Sequence, residues 1–478
     1  MLKVLLVIAT FVIVGLYADD RPLVDTSNGR IRGTFKTSRK GRQYVAFEGI
    51  PYAKPPVGDL RFKEPQAQQP WTGIWDAQYE YYCSQTSCIP TNQENVIGTE
   101  DCLYLNVYTP ELTTDKKYDV FVQIHGGAFM CGNLDTNSSP HLLDRDIVLV
   151  MMNYRLGPLE NPLQKARQLG EVVGCGQVAT QDLVQCLRQR SATQILQAIS
   201  QFQPWLHNPF APFGPSVELA GDNQFLPDLP YNLLQQGHVA DVPWITSVTS
   251  DEGLFPGAVF VSSEDRLPYL NQHWTELAPY ILHYDGTVPR AQQADVAQKI
   301  KEYYLKGKPI SKETFPELVQ AIGDRLFVVD AEKAARLQAQ VNKSPVYFYR
   351  FNYRGGNSLT EWLTQSDENL GVSHGDDAMY IIMLAKGFFK NYLESEADNQ
   401  MAELFLDMWT SFGQTGTPKV AQITWHPVST SHEHFQYLHI ASPNHIEMKQ
   451  KEYLAHNEFW NALPFQENDL ISTIRDEL

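Results

Sequence analysis

Short apolar runs, rich in branched residues and bounded by glycine or polar residues, recur along the chain. Tyr118 to Ile124 ends at a His-Gly-Gly turn, and Ile147 to Met152 ends at an Asn-Tyr-Arg segment. Val346 to Phe351 is a similar run that contains several aromatic residues. Runs of this length and composition are typical of buried β-strands, so the pattern predicts a strand at each of the three.

Helical patterns occupy Asp330 to Val341 and Gln400 to Phe412. Strands mixed with helices over 478 residues indicate an α/β architecture. Proline and glycine are spread evenly, and no internal repeat, low-complexity tract or linker interrupts the chain. We therefore expect one domain, from residue 19 to residue 478.

The N-terminus has the pattern of a signal peptide. Lys3 supplies the positive charge, Val4 to Leu16 is apolar, and Ala18 is a small residue before two aspartates. The apolar run is short for a membrane span, although a signal anchor is the alternative. No other stretch is apolar enough, so we expect residues 1–18 to be a signal peptide and the mature chain to have no membrane span.

Three further features fit an oxidising compartment. The chain ends in Arg-Asp-Glu-Leu at 475–478, which differs from the Lys-Asp-Glu-Leu retrieval signal by one charge-conserving change and predicts residence in the endoplasmic reticulum lumen, with secretion as the alternative. Six cysteines suit the same pathway. Asn137 and Asn342 lie in glycosylation sequons.

The charge balance excludes some classes of partner. With 38 basic and 55 acidic residues, the formal net charge is −17, which disfavours nucleic acid and anionic membranes. No group of His and Cys residues has metal-ligand spacing, so we expect no metal and no cofactor. The sequence does not indicate an oligomeric state.

Several motifs, in one order along nearly the whole chain, resemble a known family. They are Phe47 to Ala53, Pro55 to Phe62, Glu100 to Tyr108, His125 to Phe129, Asn153 to Gly157, Asp251 to Gly253 and Gly371 to Gly375. Together they resemble the type B carboxylesterases, the cholinesterase-like family, and Glu100 to Tyr108 matches one of its signature motifs residue for residue. The Gly-Gly-Ala turn is most similar to insect β-esterases.

The resemblance implies the α/β-hydrolase fold, a central and mostly parallel sheet flanked by helices, and a serine-esterase mechanism acting on a small carboxylic ester. That mechanism needs a serine oxygen, a histidine base and a carboxylate that orients the base. By resemblance Glu252 is the acid and His374 the base, in the family's chain order. The oxyanion hole would use the backbone N–H groups of Gly127 and Ala128, with Gly126 shaping the turn.

The resemblance also implies two disulfides, Cys83–Cys102 and Cys175–Cys186. Spacing alone does not prove the pairing, because Cys88 competes with Cys83 for Cys102. Under the implied pairing, Cys88 and Cys131 are either free or paired with each other. Cys175 lies between two glycines, but a disulfide explains it better than a thiol nucleophile.

The family's nucleophilic serine is the element that the sequence lacks. In the family, a segment like Asn153 to Pro158 leads into a helix, a strand and a Gly-Glu-Ser-Ala-Gly turn that presents the serine. Here that turn is missing, and the chain continues from Leu159 with a segment that resembles the family well past the nucleophile. The resemblance implies that on the order of 80 residues, a whole supersecondary block, are absent near residues 158–160. Neither Ser216 nor Ser373, which adjoins the base, is a substitute.

Losing this block affects both fold and function. The lost strand is central and its neighbours would keep unpaired backbone groups unless they close the gap. Three functions compete: an ester hydrolase by lineage whose chain is shortened by splicing or a faulty gene model, a non-catalytic cholinesterase-like binding or adhesion protein, and an inactive product. The retained Glu252, His374 and glycine turn favour the first or the third.

Overall fold

The computed structural model of the chain contains both β-strands and α-helices. The structure describes residues 20–87, 95–112, 115–134, 141–159, 165–176, 179–218, 221, 224–382, 395–430 and 434–468. The predicted signal peptide, Cys88, Asn137 and the C-terminal tetrapeptide lie outside the described residues.

The β-strands of the described residues are mostly short, with the longest in the first fifth of the chain. They are β1 Leu23–Thr26, β2 Gly29–Arg32, β3 Thr34–Thr37, β4 Gln43–Pro51, β5 Ile74–Asp76, β6 Gln85–Thr86, β7 Val96–Ile97, β8 Tyr104–Thr109, β9 Asp119–Ile124, β10 Ile147–Met152, β11 Trp244–Thr249, β12 Val346–Phe351, β13 Phe435–Ser442 and β14 His445–Lys451.

The α-helices are concentrated in the second half of the chain. They are α1 Ala166–Val172, α2 Thr180–Gln189, α3 Ala192–Gln197, α4 Pro230–Gln235, α5 Leu254–Gly257, α6 Arg266–Gln272, α7 Trp274–Ile281, α8 Arg290–Leu305, α9 Phe315–Gly323, α10 Val329–Val341, α11 Leu359–Thr364, α12 Glu396–Thr415 and α13 Asn457–Asn461. A π-helical turn, Asp324–Val328, joins α9 to α10.

The strands and helices that the hydrophobic pattern predicts are confirmed. Strands β10 and β12 have the predicted bounds, and β9 begins one residue later than its apolar run. The two predicted helices correspond to α10 and to the middle of α12. Helix α12 is longer at both ends because Ser395 caps its first turn and Gly416, in a left-handed conformation, ends it.

The larger strands form two separate sheets. One has the order β3-β4-β8-β10-β9, in which β9 and β10 are parallel, and the other has the order β11-β12-β13-β14, in which β11, β12 and β13 are parallel. Two smaller sheets, β1-β2-β5 and β6-β7, lie in the N-terminal part. Among the described strands, β9 and β11 each have a sheet neighbour on one side only.

The prediction that β9 is buried is wrong. Its alternate residues Val120, Val122 and Ile124 share one face of the strand and are 61%, 59% and 68% exposed. These side chains lack cover because β9 is an edge strand and, in the part of the chain that the structure describes, no layer packs on that face. The opposite face is covered, since Phe121 packs beside the hydrophobic core of the first sheet.

Helix α12 connects the two sheets. Its Met401, Phe405 and Met408 are buried in the core of the second sheet, whereas Leu406 is buried in the core of the first. The polar side of the helix also holds the first sheet, because Glu403 forms ion pairs with Arg39 and Arg145.

Disulfides close two loops near the start and middle of the chain. The structure contains Cys83–Cys102 and Cys175–Cys186, the two pairs that the resemblance implies. Cys131 is disulfide-bonded as well, and no described cysteine is free. None of the described helices has both the length and the apolar content that crossing a membrane requires.

The role of α12 leads to a prediction about stability. Phe405 is fully buried and its ring meets those of Tyr349 and Phe351 edge-on, at centroid distances of 5.8 and 5.6 Å. Phe405→Ala should lower the free energy of unfolding by about 3–5 kcal/mol, the usual cost of such a cavity. The matched control is Phe225→Ala, since Phe225 is 91% exposed. Urea unfolding with the same midpoint for both variants would contradict the role assigned to α12.

Candidate active site

The loop after β11 places a carboxylate in the protein interior. Glu252 is only 5% exposed, and its Oε1 accepts a hydrogen bond of 2.6 Å from the backbone N–H of Thr249, the last residue of β11. This bond turns the side chain back onto the strand end. Asp251 ties a second segment to the same place, because its N–H donates to the carbonyl of Val372 and its Oδ2 accepts from the N–H of Val372.

That second segment carries His374 to Glu252. Nδ1–H of His374 donates to Oε2 of Glu252 over 2.7 Å. The imidazole is 44% exposed, and its Nε2 has no hydrogen-bond partner among the described residues. The two residues, 122 positions apart in sequence, are therefore held as a hydrogen-bonded carboxylate–imidazole pair, an arrangement in which the second ring nitrogen could exchange a proton with a reacting group.

The electrostatics of this pair raise the pKa of His374. Desolvation lowers the pKa of His374, but the charge and hydrogen bond of Glu252, with smaller contributions from Asp377 and Asp376, raise it above the ordinary value of 6.5 overall. A carboxylate beside an imidazole stabilises the imidazolium form, which is the form that a general base reaches during catalysis.

Two acidic residues that sequence reasoning missed lie next to the base. Asp376 accepts hydrogen bonds from the N–H groups of Leu359 and Ser373, and burial raises its pKa to about 7. Asp377 accepts a bond of 2.7 Å from the hydroxyl of Tyr349, and burial raises its pKa as well. Asp376 and Asp377 follow His374 by two and three positions, and this closeness in sequence could have indicated that they lie beside it.

Aromatic rings also contact the base and were not foreseen. The ring of Phe327 stacks on His374 with centroids 4.4 Å apart and planes 28° apart. Phe255 lies at 5.6 Å in a tilted arrangement. Nothing in the local sequence around Phe327 indicates this contact, because it joins a helical turn to a distant loop.

The glycine turn follows the carboxyl end of β9. Gly127 has φ +119°, and a Cβ there would overlap the carbonyl oxygen of Cys131, so only glycine fits. Ala128 also has positive φ, +53°. The carbonyl of Gly127 accepts from the N–H groups of Met130 and Cys131, while the N–H groups of Gly127 and Ala128 have no acceptor among the described residues. The turn therefore has two backbone donors that no described residue satisfies.

His125, the residue before the glycine turn, is held in place by contacts with Tyr154. The hydroxyl of Tyr154 donates to the carbonyl of His125 over 2.7 Å, and the two rings stack with centroids 4.4 Å apart. His125 Nδ1 lies 2.9 Å from the carbonyl of Gly126. These contacts join the start of the turn to the segment after β10.

No serine among the described residues is bonded to Nε2 of His374. In sequence alone, Gly371 to Gly375 matches the Gly-x-Ser-x-Gly pattern, with Ser373 at its centre. However, Ser373 is completely buried, its N–H donates to Asp376, and its hydroxyl has no partner among the described residues. A nucleophile is instead exposed on a strand-to-helix turn. The hydroxyl of Ser216 is also buried, and no described residue bonds it.

Two other predictions from the sequence concern the glycosylation sequon at Asn342 and metal binding. Asn342, the sequon residue that the structure describes, follows α10 and its amide donates to the carbonyl of Ala240 over 3.4 Å. The described residues contain no cluster of three or more His, Cys, Asp or Glu that could hold a metal ion.

Comparison with known proteins gives consistent matches. The model of the carboxylesterase family matches residues 20–160 and 158–460. The chain is 34% identical to Venom carboxylesterase-6 of Apis mellifera over 535 residues, covering 94% of this chain and 95% of that protein. It is also 34% identical to a carboxylic ester hydrolase of Bombus ignitus, covering 95% of this chain and 96% of that protein.

A solved structure provides the fold. The juvenile hormone esterase of Manduca sexta, with OTFP covalently attached, superimposes with a TM-score of 0.74 and 21% sequence identity, covering 96% of this chain and 100% of that chain. The predicted α/β-hydrolase fold is thereby confirmed.

The Glu252–His374 bond predicts the direction of a pKa change. Because the Glu252 charge raises the pKa of His374, Glu252→Gln should lower it, and this can be followed by NMR titration of the ring. Glu276→Gln is the matched control, since that carboxylate touches His273 on the surface. An unchanged or higher pKa for His374 in Glu252→Gln would contradict the electrostatic assignment.

Proposed function

Because the chain belongs to the carboxylesterase family, we propose that Glu252 and His374 are the acid and base of a serine-esterase mechanism that cleaves a carboxylic ester. The observation that carries this proposal is their 2.7 Å hydrogen bond, which leaves Nε2 of the imidazole exposed. In such a mechanism Nε2 takes the proton of a serine hydroxyl while the carboxylate holds Nδ1–H and stabilises the imidazolium.

The glycine turn would stabilise the other charge of the reaction. Attack on an ester carbonyl makes its oxygen negative, and backbone N–H groups aimed at that oxygen lower the barrier. The N–H groups of Gly127 and Ala128, which have no acceptor among the described residues, suit this task. Ala128 narrows the pocket compared with glycine but keeps its donor, so the proposed oxyanion hole retains two of the donors that the family uses.

We further propose that this 478-residue chain lacks the strand, turn and helix that supply the serine, and that it is inactive or impaired as an esterase. The two segments matched by the family model meet at residues 158–160, where the block would be inserted. The alignment with the Apis mellifera relative spans 535 residues, more than this chain contains. The exposed face of β9 and the free edges of β9 and β11 are also consistent with a missing central strand.

The alternative is a non-catalytic binding protein. Gradual conversion to a binding role has no need for an acid–base pair, yet the pair is bonded and the glycine turn is formed. This favours a shortened form of an active esterase, or a recently inactivated product, over adhesion. The two disulfides support the secretory pathway, because such bonds persist in oxidising compartments.

The absence of a nucleophile predicts the outcome of an activity test. The chain as written should give no burst with an activated aryl ester and no label with an organophosphate probe. Triads without their serine retain only about 10³–10⁴-fold acceleration over water, and loss of an oxyanion donor removes about 10²-fold more. A chain with a relative's block inserted after Pro158 should label at the new serine. In that chain His374→Ala should abolish turnover, whereas His445→Ala, at an exposed histidine, should not.

Stoichiometric labelling of the chain as written would overturn the proposal, and mapping the labelled peptide would identify the overlooked nucleophile. A restored chain that folds but does not label would instead remove the assignment of Glu252 and His374 to an esterase mechanism.

The missing strand also predicts a pattern of hydrogen exchange. The β9 amides that face away from β10 have no partner strand among the described residues and should exchange fast in the chain as written. Insertion of the block should protect them, while the central strand β10 should be protected in both chains. Protected outer amides of β9 in the chain as written would show that its edge is already paired.

A further inference from the structure

The π-helical turn Asp324–Val328 lies directly behind the candidate active site. It interrupts an otherwise continuous helical rod made of α9 and α10. A π turn inserts an extra residue into the helix and so alters which side chains share a face; such turns occur frequently at functional sites. Here it separates two sets of contacts.

One side of the turn binds the C-terminal segment. Asp324 is 5% exposed, and its Oδ2 accepts hydrogen bonds from the hydroxyl of Tyr304 at 2.7 Å and from Nδ1–H of His456 at 2.8 Å. The indole N–H of Trp460, in α13, donates to the same Tyr304 hydroxyl over 2.7 Å. Arg325 adds an ion pair with Glu467. Hydrogen bonds and an ion pair with residues 456–467 therefore hold this side of the turn.

The other side of the turn meets the acid–base pair. The backbone at Gly323 is so close to Gly253 that a Cβ on Gly323 would lie 2.9 Å from the Gly253 nitrogen and 3.4 Å from Cβ of Glu252. A Cβ on Gly253 would overlap the carbonyl oxygen of Val319 in α9. Four residues after Gly323, the ring of Phe327 stacks on the exposed imidazole of His374 at 4.4 Å.

We propose that the π turn positions the base: Phe327 is a positioning residue that holds the plane of the His374 ring, and the Asp324–His456 bond lets the C-terminal segment set the position of Phe327. Glu252 holds only one nitrogen of the imidazole, so this hydrogen bond alone leaves some freedom for the ring plane to tilt. A stacked aromatic face restricts this tilt and keeps Nε2 directed at one place.

The importance of ring positioning for catalysis rests on the proposed function of His374. The structural link from the C-terminal segment through Phe327 to the His374 ring does not. It can be measured on the 478-residue chain by NMR of the His374 ring, without any esterase activity. If the restored chain proves inactive, the proposed function fails while the ring measurements still decide the coupling.

The first test acts on the stacking. In Phe327→Leu the His374 ring protons should lose the upfield shift caused by the stacked ring. The hydrogen-bonded Nδ1–H resonance should broaden or disappear as the imidazole becomes mobile. Phe327→Tyr keeps the aromatic face and should retain both signals. An unchanged His374 spectrum in Phe327→Leu would overturn the positioning role.

The second test changes His456, a residue that bonds Asp324 in the π turn rather than His374. His456→Gln removes the histidine bond to Asp324 and should change the same His374 signals. The matched control is His445→Gln, because His445 also bonds a carboxylate, Glu447, but on β14 and 64% exposed. If His445→Gln disturbs His374 as much as His456→Gln does, or if His456→Gln leaves it unchanged, the link to the C-terminal segment is overturned. Urea unfolding of each variant shows whether it is folded under the NMR conditions.

Discussion

The packing of α12 against both sheets is the interaction on which the rest of the molecule depends. No strand pairing joins β9 to β11 among the described residues, so their relative position must come from another layer. Helix α12 supplies it with apolar residues facing the cores of both sheets and with Glu403 paired to Arg39 and Arg145. At Gly413 the helix approaches so closely that a Cβ would lie 2.7 Å from the Phe121 ring of β9.

Strand β9 shows what an uncovered apolar face costs. Its outer backbone groups can bond water, so the main loss is not unsatisfied hydrogen bonds but unburied side chains. Full burial of a Val or Ile side chain stabilises a fold by roughly 1.5–3 kcal/mol, so the exposed Val120, Val122 and Ile124 forgo an amount comparable with the whole stability of many domains. Exposed apolar edges of this kind are also sites of association.

The sequence predicted the position of strands and helices better than it predicted their burial and their contacts with distant residues. Periodicity and branched residues located β10 and β12 to the residue, since those properties belong to each segment alone. It failed on the burial of β9, because burial of a strand face depends on the layer that packs against it, and the sequence of the strand itself does not specify that layer. For the same reason Glu252 and His374 could be named only through their motifs, whereas the stacking of Phe327 on His374 joins residues with no shared sequence signal.

The two sheets carry different parts of the proposed chemistry. The acid–base pair depends on the end of β11 and on the bonds between Asp251 and Val372, while the glycine turn depends on β9 and on the Tyr154–His125 contact. Each part is complete within its own half, since none of these contacts crosses from β9 to β11. A block lost between the halves can therefore remove the nucleophile without disturbing either part. This separation explains how a chain in which no described serine is bonded to His374 can still hold the proposed acid, base and oxyanion donors in place.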